Sequence, residues 1–251
     1  MLNNPVFVAP NWVVPKQVKT LITTKTGGYS QNNFAEFNLA LHVNDDPRLV
    51  NRNRSLLATH LPTNPYWLAQ THSNLVWDLD QIDNDNRLEN AYDASITTSK
   101  NKVCVVMSAD CLPILLTDRC ANFVAAIHAG WRGLTNQVIL NTLRKAPVPP
   151  QEIIAFIGPA ICPKHFEVGT EIFAIFTQLN NHYTRHFSKK FNGKYECDLT
   201  GIAKLQLVSL GVLPDKIYIS DQCTYCNNDI FYSYRKNNLS GRFASLIWLE
   251  E

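Results

Sequence analysis

The chain has 251 residues, of which 45% are hydrophobic and 18% charged, and its formal net charge at pH 7 is +2. This composition is typical of a globular protein with one large core. The small net charge excludes the strongly basic surface by which many proteins bind nucleic acid. No apolar stretch approaches the ~20 residues of a membrane-spanning helix. We therefore expect neither nucleic acid nor a membrane as a partner.

The N-terminal segment and the cysteines indicate the cellular compartment. Met1–Pro5 has no basic region followed by an apolar stretch, so we do not expect a secretion signal. The seven cysteines are odd in number and scattered along the chain, which favours reduced thiols over a disulfide framework. We predict a cytoplasmic protein that is a monomer or a homodimer.

The first hundred residues predict three strands and one helix. The helix starts where Asp46 can act as N-cap and a proline takes the first helical position. The strands are short apolar or β-branched runs bounded by turn residues. In chain order the elements are a strand at Leu21–Thr24, a helix from Pro47 to about His60, and strands at Tyr66–Ala69 and Val76–Leu79.

The rest of the chain predicts six further strands and three helices. The central apolar runs are continuous, which is typical of strands covered on both faces. The pattern predicts a mixed α and β protein around one core. In chain order the elements are strands at Val103–Met107, Leu112–Leu116 and Phe123–Ile127, a helix of about ten residues from Leu134, a strand at Ile153–Ile157, helices at Thr170–Leu179 and Leu199–Leu210, and strands at Ile217–Ile219 and Leu246–Trp248.

Polar segments stand at the ends of three predicted strands, where side chains from a rigid scaffold can converge on one pocket. The segments are Gln70–Ser73, Ser108–Cys111 and His128–Trp131. Within them, His72, Cys111 and His128 would form a three-ligand set with an open position. That arrangement is typical of catalytic zinc, whereas structural zinc is closed by four protein ligands.

The same residues allow two other interpretations. In the first, His72 and His128 are hydrogen-bonded histidines at strand ends and Cys111 is a small buried hydrophobic residue. In the second, Cys111 and His128 form the thiolate–imidazole pair of a cysteine-type amidohydrolase, oriented by Asp110 or Gln70. The spacing of these residues matches no compact metal motif, so it leaves all three interpretations open.

Six segments in chain order resemble the signatures of one family. They are NLALHVNDDP, LAQTHSNLVW, SADCLPILL, HAGWRGL, IGPAICPKHFEVG and CTYCNNDIFYSYRKNNLSGRFASLIWL. On these motifs the chain is identified as a member of the bacterial YfiH-like family, also called multicopper polyphenol oxidase or laccase-domain proteins. The resemblance covers the chain from about Leu21 to Leu249, and members of the family include zinc-dependent purine nucleoside phosphorylases.

The resemblance implies that His72, Cys111 and His128 are catalytic ligands of Zn²⁺, with Cu²⁺ as an alternative metal. It implies purine nucleosides and phosphate as substrates, and adenosine deaminase and methylthioadenosine phosphorylase activities beside nucleoside phosphorolysis. It also implies a single catalytic domain over residues 1–251. The implied fold class is α+β, with layered mixed β-sheets flanked by helices, related to a deamidating toxin domain that uses a Cys–His pair.

This sequence departs from the family pattern at two places. Ser73 and Asn44 stand where the family usually has glycine. Neither residue is a predicted ligand. We expect Ser73, which follows a ligand histidine, to narrow the pocket.

The laccase name can be tested against the histidines. Two histidines and one cysteine suit a type-1 copper site. A laccase also needs a trinuclear copper cluster, which draws on several His-x-His pairs. The chain has seven histidines, and none of them is in such a pair. We therefore regard copper-dependent oxidation of phenols only as an alternative function.

Three arginines are candidate anion or substrate ligands. Arg132 lies at the start of the helix predicted from Leu134, where free N–H groups and the helix dipole favour phosphate. A surface arginine that caps a turn explains Arg132 equally well. Arg235 and Arg242 could also reach phosphate or substrate, with a structural ion pair as the alternative for each. The family pattern favours a pocket role for Arg242.

The remaining candidates are polar residues and a pair of cysteines. Asn38 and Gln70 are candidate substrate ligands, although Asn38 could equally stabilise a turn. Asp110 could act as general acid or base if the strand is broken beside Cys111. We interpret Cys223-x-x-Cys226 as two reduced cysteines near a loop, because a structural zinc needs a second matching pair and none is apparent. The other five histidines are interpreted as structural or surface residues.

Overall fold

The computed structural model describes residues 4–81 and 91–251. The predicted absence of a secretion signal rests partly on residues 1–3, which lie outside the described residues. The described part contains thirteen β-strands. In chain order they are β1 (Phe7–Val8), β2 (Val18–Thr23), β3 (Val76–Asp78), β4 (Ala94–Thr97), β5 (Cys104–Ser108), β6 (Leu112–Asp118), β7 (Val124–Ala129), β8 (Ile153–Ile157), β9 (Glu167–Val168), β10 (Phe187–Lys189), β11 (Tyr195–Cys197), β12 (Ile217–Ile219) and β13 (Phe243–Leu249).

Five α-helices accompany the strands in the same described ranges. They are α1 (Pro47–Ala58), α2 (Trp131–Thr135), α3 (Val138–Leu143), α4 (Thr170–Leu179) and α5 (Leu199–Ser209). The start of α1 follows from its sequence, because the Asp46 side chain accepts a hydrogen bond from the Arg48 amide and caps the helix. Asp198 caps α5 in the same way. Among the described residues, no helix is long and apolar enough to cross a membrane.

The strands form three sheets. The largest is a mixed sheet of six strands in the order β12-β8-β6-β7-β4-β3, with parallel pairs at its two ends and antiparallel pairs between them. The second sheet is antiparallel, in the order β1-β2-β13-β5. A small antiparallel sheet has the order β10-β11-β9.

The two larger sheets pack face to face, and helices cover their outer faces. Along β6, Leu115 lies in the core between the sheets, whereas Ile114 and Leu116 lie in a second core beneath α3, α4 and α5. This division follows because successive side chains of a strand point to opposite faces. A third core joins Leu57 of α1 to Leu246 of β13. The predicted α+β class, with layered mixed sheets flanked by helices, is confirmed.

Most of the predicted elements are confirmed, but two are wrong. The segment 66–69 is not a strand, because Tyr66 makes only an isolated bridge to Cys104. The single helix predicted from Leu134 is two short helices that begin at Trp131, with Gln137 between them in the left-handed region at φ 67°. The strands β1, β4, β9, β10 and β11, each of at most four residues, were not predicted from the sequence.

The strand ends bring the predicted site together. The chain passes from β5 to β6 through a turn in which Asp110 has a φ of 93°. Cys111 is the last residue of this turn. The pairing of β6 with β7 sets Pro113 opposite His128, so the histidine lies at the same end of the sheet as the turn. His72 reaches this place from the loop that precedes β3.

Candidate metal centre

His72, Cys111 and His128 form a compact group of possible metal ligands. The Cys111 Sγ atom lies 3.6 Å from His72 Nε2, and the two imidazole centroids are 4.9 Å apart. One donor atom from each residue lies within 4.8 Å of the other two. Ligand atoms of a tetrahedral zinc lie roughly 3.3–3.8 Å apart, given bonds of about 2.0–2.3 Å. The donor set and its spacing therefore fit one divalent ion with a fourth position left open.

Asp93 holds both histidines of this group in place. Its Oδ1 atom lies 2.7 Å from His128 Nδ1, so the Nε2 atom is left for a metal. The same carboxylate accepts the backbone N–H groups of Thr71, His72 and Ser73 at 3.1, 3.0 and 2.6 Å. These bonds fix His72, whose φ of 63° is in the left-handed region. Asp93 was not predicted from the sequence, and neither was β4, the strand that directly follows it.

The charges within the cluster favour the deprotonated thiol. Burial alone would raise the pKa of Cys111, but the neighbouring His128 and His72 lower it to about 6. Burial alone would lower the pKa of His128, but Cys111 and Asp93 raise it to about 9. Without metal, both shifts favour the thiolate–imidazolium form of the pair. A metal ion would displace the imidazolium proton, because only neutral imidazole is a ligand.

The side chains of the cluster fill space that is free because residue 130 is glycine. A Cβ atom at Gly130 would lie 2.8 Å from Cys111 Sγ and 2.8 Å from His72 Cδ2. Both distances are shorter than Cβ atoms adopt, so a side chain at this position would displace the two possible ligands. Gly130 therefore permits the close approach of β7 to the two ligands.

The three residues line a cavity of about 470 Å³. This volume falls within the range of about 300–1,000 Å³ that is usual for small-molecule sites. Aromatic rings and arginines form much of the remaining wall. Besides the three possible ligands, the lining residues are His42, Gln70, Met107, Ser108, Ala109, Asp110, Trp131, Arg132, Phe166, Tyr234, Arg235 and Arg242.

All three predicted arginines reach the cavity. Among the described residues, none of them has a carboxylate within ion-pair distance, so the ion-pair alternative for Arg235 and Arg242 does not apply. Arg242 is half-buried and donates to the carbonyls of Ser240 and Gly241 at 2.6 and 2.9 Å. Arg132 is exposed and stacks on the adjacent tryptophan ring. Its helix α2 has only five residues, which weakens the dipole argument for phosphate there.

The predicted polar residues bond mainly to the protein itself. Gln70 fixes the backbone of β5, since its side-chain amide forms hydrogen bonds with the N–H and the carbonyl of Met107, each at 2.8 Å. Asp110 accepts from Thr224 Oγ1 at 2.6 Å and from the Arg235 amide at 2.7 Å, so both its oxygens are engaged.

Asn38 lies behind the cavity wall. It is fully buried and is not a lining residue. Its Oδ1 atom accepts the backbone N–H groups of Ala40 and Arg242. These contacts match the turn-stabilising alternative for Asn38, and they also fix the backbone of a lining arginine.

Several lining residues were not predicted from the sequence, and the expectation for Ser73 is wrong. His42, predicted to be a structural or surface residue, lines the cavity, and burial together with Arg242 and Arg54 lowers its pKa. Its position inside the motif NLALHVNDDP could have indicated that His42 belongs to the site. Ser73 does not narrow the pocket, because it is not a lining residue and its hydroxyl donates to the Ala91 carbonyl.

A second group of possible metal ligands lies beside the cavity. Cys162, His165, Cys223 and Cys226 place their donor atoms within 4.8 Å of one another. The prediction that Cys223-x-x-Cys226 lacks a matching pair is therefore wrong. The second pair is Cys162-x-x-His165, which a search for cysteine pairs alone does not find.

Comparison with known proteins agrees with the fold and the motifs. The sequence profile of the family described as "Multi-copper polyphenol oxidoreductase laccase" matches residues 19–250. A purine nucleoside phosphorylase of Haemophilus influenzae is 42% identical over 247 residues, which cover 97% of this chain and 99% of that protein. Purine nucleoside phosphorylase YfiH of Escherichia coli is 38% identical over 245 residues, covering 97% and 98%.

Solved structures show the same architecture. The crystal structure of a Neisseria meningitidis protein superposes with a TM-score of 0.90 at 40% identity, over 99% of this chain and 100% of that one. The YfiH protein of Bacillus licheniformis superposes with a TM-score of 0.87 at 28% identity, over 97% and 99%. The profile and these relatives span nearly the whole chain, and the chain therefore belongs to the multicopper polyphenol oxidoreductase laccase family, the YfiH-like family that its motifs indicate.

Proposed function

We propose that the chain is a metal-dependent purine nucleoside phosphorylase whose reaction takes place beside His72, Cys111 and His128. The observation that carries this proposal is one cavity of about 470 Å³ that joins the three possible metal ligands to three arginines. Relatives named purine nucleoside phosphorylase, at 42% and 38% identity, support the same activity.

The wall of the cavity suits two substrates of different chemistry. Phosphate is an anion, and Arg132, Arg235 and Arg242 are permanent cations with planar groups that match its oxygens. Arg242 is the strongest candidate, because its partial burial reduces screening by solvent. A purine base needs flat apolar faces, and the rings of Phe166 and Tyr234 offer them.

In the proposed reaction, a phosphate oxygen forms a bond to C1′ of the ribose. The bond from C1′ to the purine nitrogen breaks, its electron pair leaves with the base, and the base takes up the proton that hydrogen phosphate loses. A divalent ion held by His72, Cys111 and His128 supplies Lewis acidity when bound. Asp93 keeps the His128 ring oriented, and the arginines bind phosphate and balance its charge.

The finer parts of the proposal come from the family resemblance. They are Zn²⁺ as the native metal with Cu²⁺ as the alternative, adenosine deamination, and phosphorolysis of methylthioadenosine. We also propose a cytoplasmic location, because scattered cysteines suit a reducing compartment. Copper-dependent phenol oxidation has little support, since the described residues contain two groups of close ligands and neither provides a trinuclear cluster.

The test is incubation of purified protein with inosine, guanosine, adenosine and methylthioadenosine, each with and without phosphate, followed by mass spectrometry. We expect release of free base that depends on phosphate, and conversion of adenosine to inosine by deamination. Cys111→Ala should remove these activities. Cys120→Ala, which changes an exposed thiol outside the cavity, should retain them. Failure of the metal-loaded protein to release base from any nucleoside would contradict the proposal.

A second candidate function is a cysteine-type amidohydrolase. It is favoured by the chain of contacts from Asp93 to His128 and by the proximity of Cys111, whose pKa is lowered to about 6 by its histidine neighbours against the effect of burial. Treatment with a chelator separates the two functions. The phosphorylase should lose activity with its metal, whereas an amidohydrolase would hydrolyse amides without metal.

A further inference from the structure

The second group of ligands consists of two short segments held together by backbone bonds. Cys162 and His165 belong to one segment, and Cys223 and Cys226 to the other. Ala160 forms a parallel bridge with Cys223, and its N–H and carbonyl bond to Gln222 and Thr224 at 3.3 and 3.1 Å. The fold therefore aligns two ligand pairs that are far apart in the sequence.

The donor atoms of this group are arranged around one centre. His165 Nδ1 lies 3.2 Å from the sulfur of Cys162, 3.4 Å from that of Cys226 and 3.9 Å from that of Cys223. Nitrogen and sulfur ligands of a tetrahedral zinc lie about 3.5 Å apart, given bonds of about 2.0 and 2.3 Å. The three observed distances bracket this value.

Hydrogen bonding alone does not explain the group. One imidazole nitrogen is a single donor or a single acceptor, so it cannot satisfy three sulfur atoms. A disulfide would use two of the cysteines and leave the third facing the ring. In addition, the Cys162 amide donates to the Cys223 sulfur at 3.3 Å, as amides do to metal-bound thiolates. Three thiolates and one imidazole are one of the usual ligand sets of structural zinc.

We propose that Cys162, His165, Cys223 and Cys226 bind a structural Zn²⁺, distinct from the metal at Cys111. Four protein ligands close this site, so its role is to stabilise structure. The exposed side of the site carries positive charge, since Lys236 lies 4.4 Å from the Tyr225 ring that stacks on His165. This charge offsets the excess negative charge of three thiolates over one Zn²⁺.

The site fixes one wall of the cavity. Phe166, a lining residue, directly follows His165 in the chain. Arg235, another lining residue, donates to the carbonyls of His165 and Glu167 at 3.4 and 3.0 Å. Thr224, between the two cysteines, donates to Asp110 at 2.6 Å. Zinc at this place would therefore hold residues 159–166 and 220–235 against the turn that carries Cys111.

The experiment is metal analysis of the purified full chain and three variants by mass spectrometry. We expect two zinc ions per wild-type chain, one for Cys226→Ser and one for Cys111→Ser. Cys120→Ser, which changes an exposed cysteine outside both groups, should keep two. A wild-type chain whose zinc is lost completely in Cys111→Ser and unchanged in Cys226→Ser would overturn the proposal. So would a native mass lower by two hydrogens, which indicates a disulfide.

Two further measurements keep the test decisive if Cys226→Ser folds poorly. Cys111→Ser loaded with Co²⁺ should absorb in the near ultraviolet with the intensity of several thiolate–cobalt bonds, and absence of this band would overturn the proposal. Removal of the zinc should accelerate hydrogen exchange in residues 159–166 and 220–235 and leave β6 unchanged. Neither readout depends on nucleoside phosphorolysis, so failure of that proposed activity does not affect this test.

Discussion

At the residue scale, the geometry of the cavity depends on a carboxylate outside the ligand group. Asp93 is fully buried, and it accepts bonds from three successive backbone amides and from the His128 ring. Hydrogen bonds of this kind keep the carboxylate charged, since they lower its pKa against the opposing effect of burial. One residue thus sets the backbone of His72 and the orientation of His128.

Replacement of Asp93 by asparagine tests this role. An amide presents only one acceptor oxygen, and its NH₂ group would face N–H donors. We expect the zinc affinity of the Cys111 site to fall by about 10–100-fold, as for other residues that orient a ligand histidine. We expect the free energy of unfolding to fall by about 1–3 kcal/mol. Chelator competition and urea denaturation measure the two effects.

Asp78→Asn is a suitable control for this variant. Asp78 is a half-buried residue in β3 whose carboxylate accepts the Asp80 amide, and among the described residues it makes no bond to the cluster. Its replacement should leave the zinc affinity unchanged. Unchanged zinc affinity in Asp93→Asn would contradict the positioning role.

Sequence could predict some of these residues and not others, for physical reasons. His72, Cys111 and His128 are polar residues at the ends of apolar strands or loops beside them, which makes them visible in a pattern. Asp93 acts through the fold alone, because its partners are 20–35 residues away and no local motif records the contacts. Cys162 was not predicted because two of its partners, Cys223 and Cys226, belong to a distant segment, and its near partner His165 is not a cysteine.

At the scale of elements, Asp80 joins the end of β3 to the turn after β4. Its carboxylate accepts hydroxyl bonds from Thr97, Thr98 and Ser99, each at 2.7 Å, and a backbone bond from Thr98 at 2.6 Å. Lys102 adds an ion pair at 3.0 Å. Burial alone would raise the pKa of Asp80, but these hydrogen bonds hold it well below the usual range.

This arrangement predicts a contribution to stability that depends on pH. The pKa of Asp80 is lower in the folded state than in the unfolded state, so the stabilisation is complete above about pH 4 and decreases as the pH falls below it. Asp80→Asn should lower the free energy of unfolding by about 1–2 kcal/mol at pH 7, a value kept small by partial exposure to solvent. Urea denaturation should show the difference from wild type shrinking toward pH 3. A difference that grows in acid would contradict this account.

The predicted elements divide according to how they are stabilised. Thr170–Leu179 and Ile153–Ile157 match their predicted bounds, because local apolar periodicity and a buried apolar run define them. The segment from Tyr66 has the composition of a strand but lies where only one bridge can form. Gln137 interrupts a helical pattern by adopting a left-handed backbone, which composition does not record.

At the scale of the whole molecule, the two larger sheets share one core. Leu115 of β6, Ile22 of β2 and Ile247 of β13 belong to the same buried cluster. Neither sheet can separate without exposing this cluster. We therefore propose that the chain unfolds as one cooperative domain.

Leu115→Ala tests this cooperativity. Leu115 has no exposed surface, and loss of its side chain should reduce the free energy of unfolding by about 2–5 kcal/mol. Unfolding in urea, followed both by far-ultraviolet circular dichroism and by tryptophan fluorescence, should give coincident curves for wild type and variant. Leu213→Ala, at an exposed leucine, should have little effect. Two separate transitions would contradict a single domain.

The central claim is that phosphorolysis occurs in the cavity lined by Cys111 and the arginines. The most direct measurement uses inosine and phosphate labelled with ¹⁸O at all four oxygens. We predict equal amounts of hypoxanthine and a ribose phosphate that carries all four labelled oxygens. All four are retained because phosphate attacks C1′ through one of its own oxygens. Chelated protein and Cys111→Ala should form neither product. Hypoxanthine formed together with free ribose, or labelled product formed equally well by Cys111→Ala, would contradict the claim.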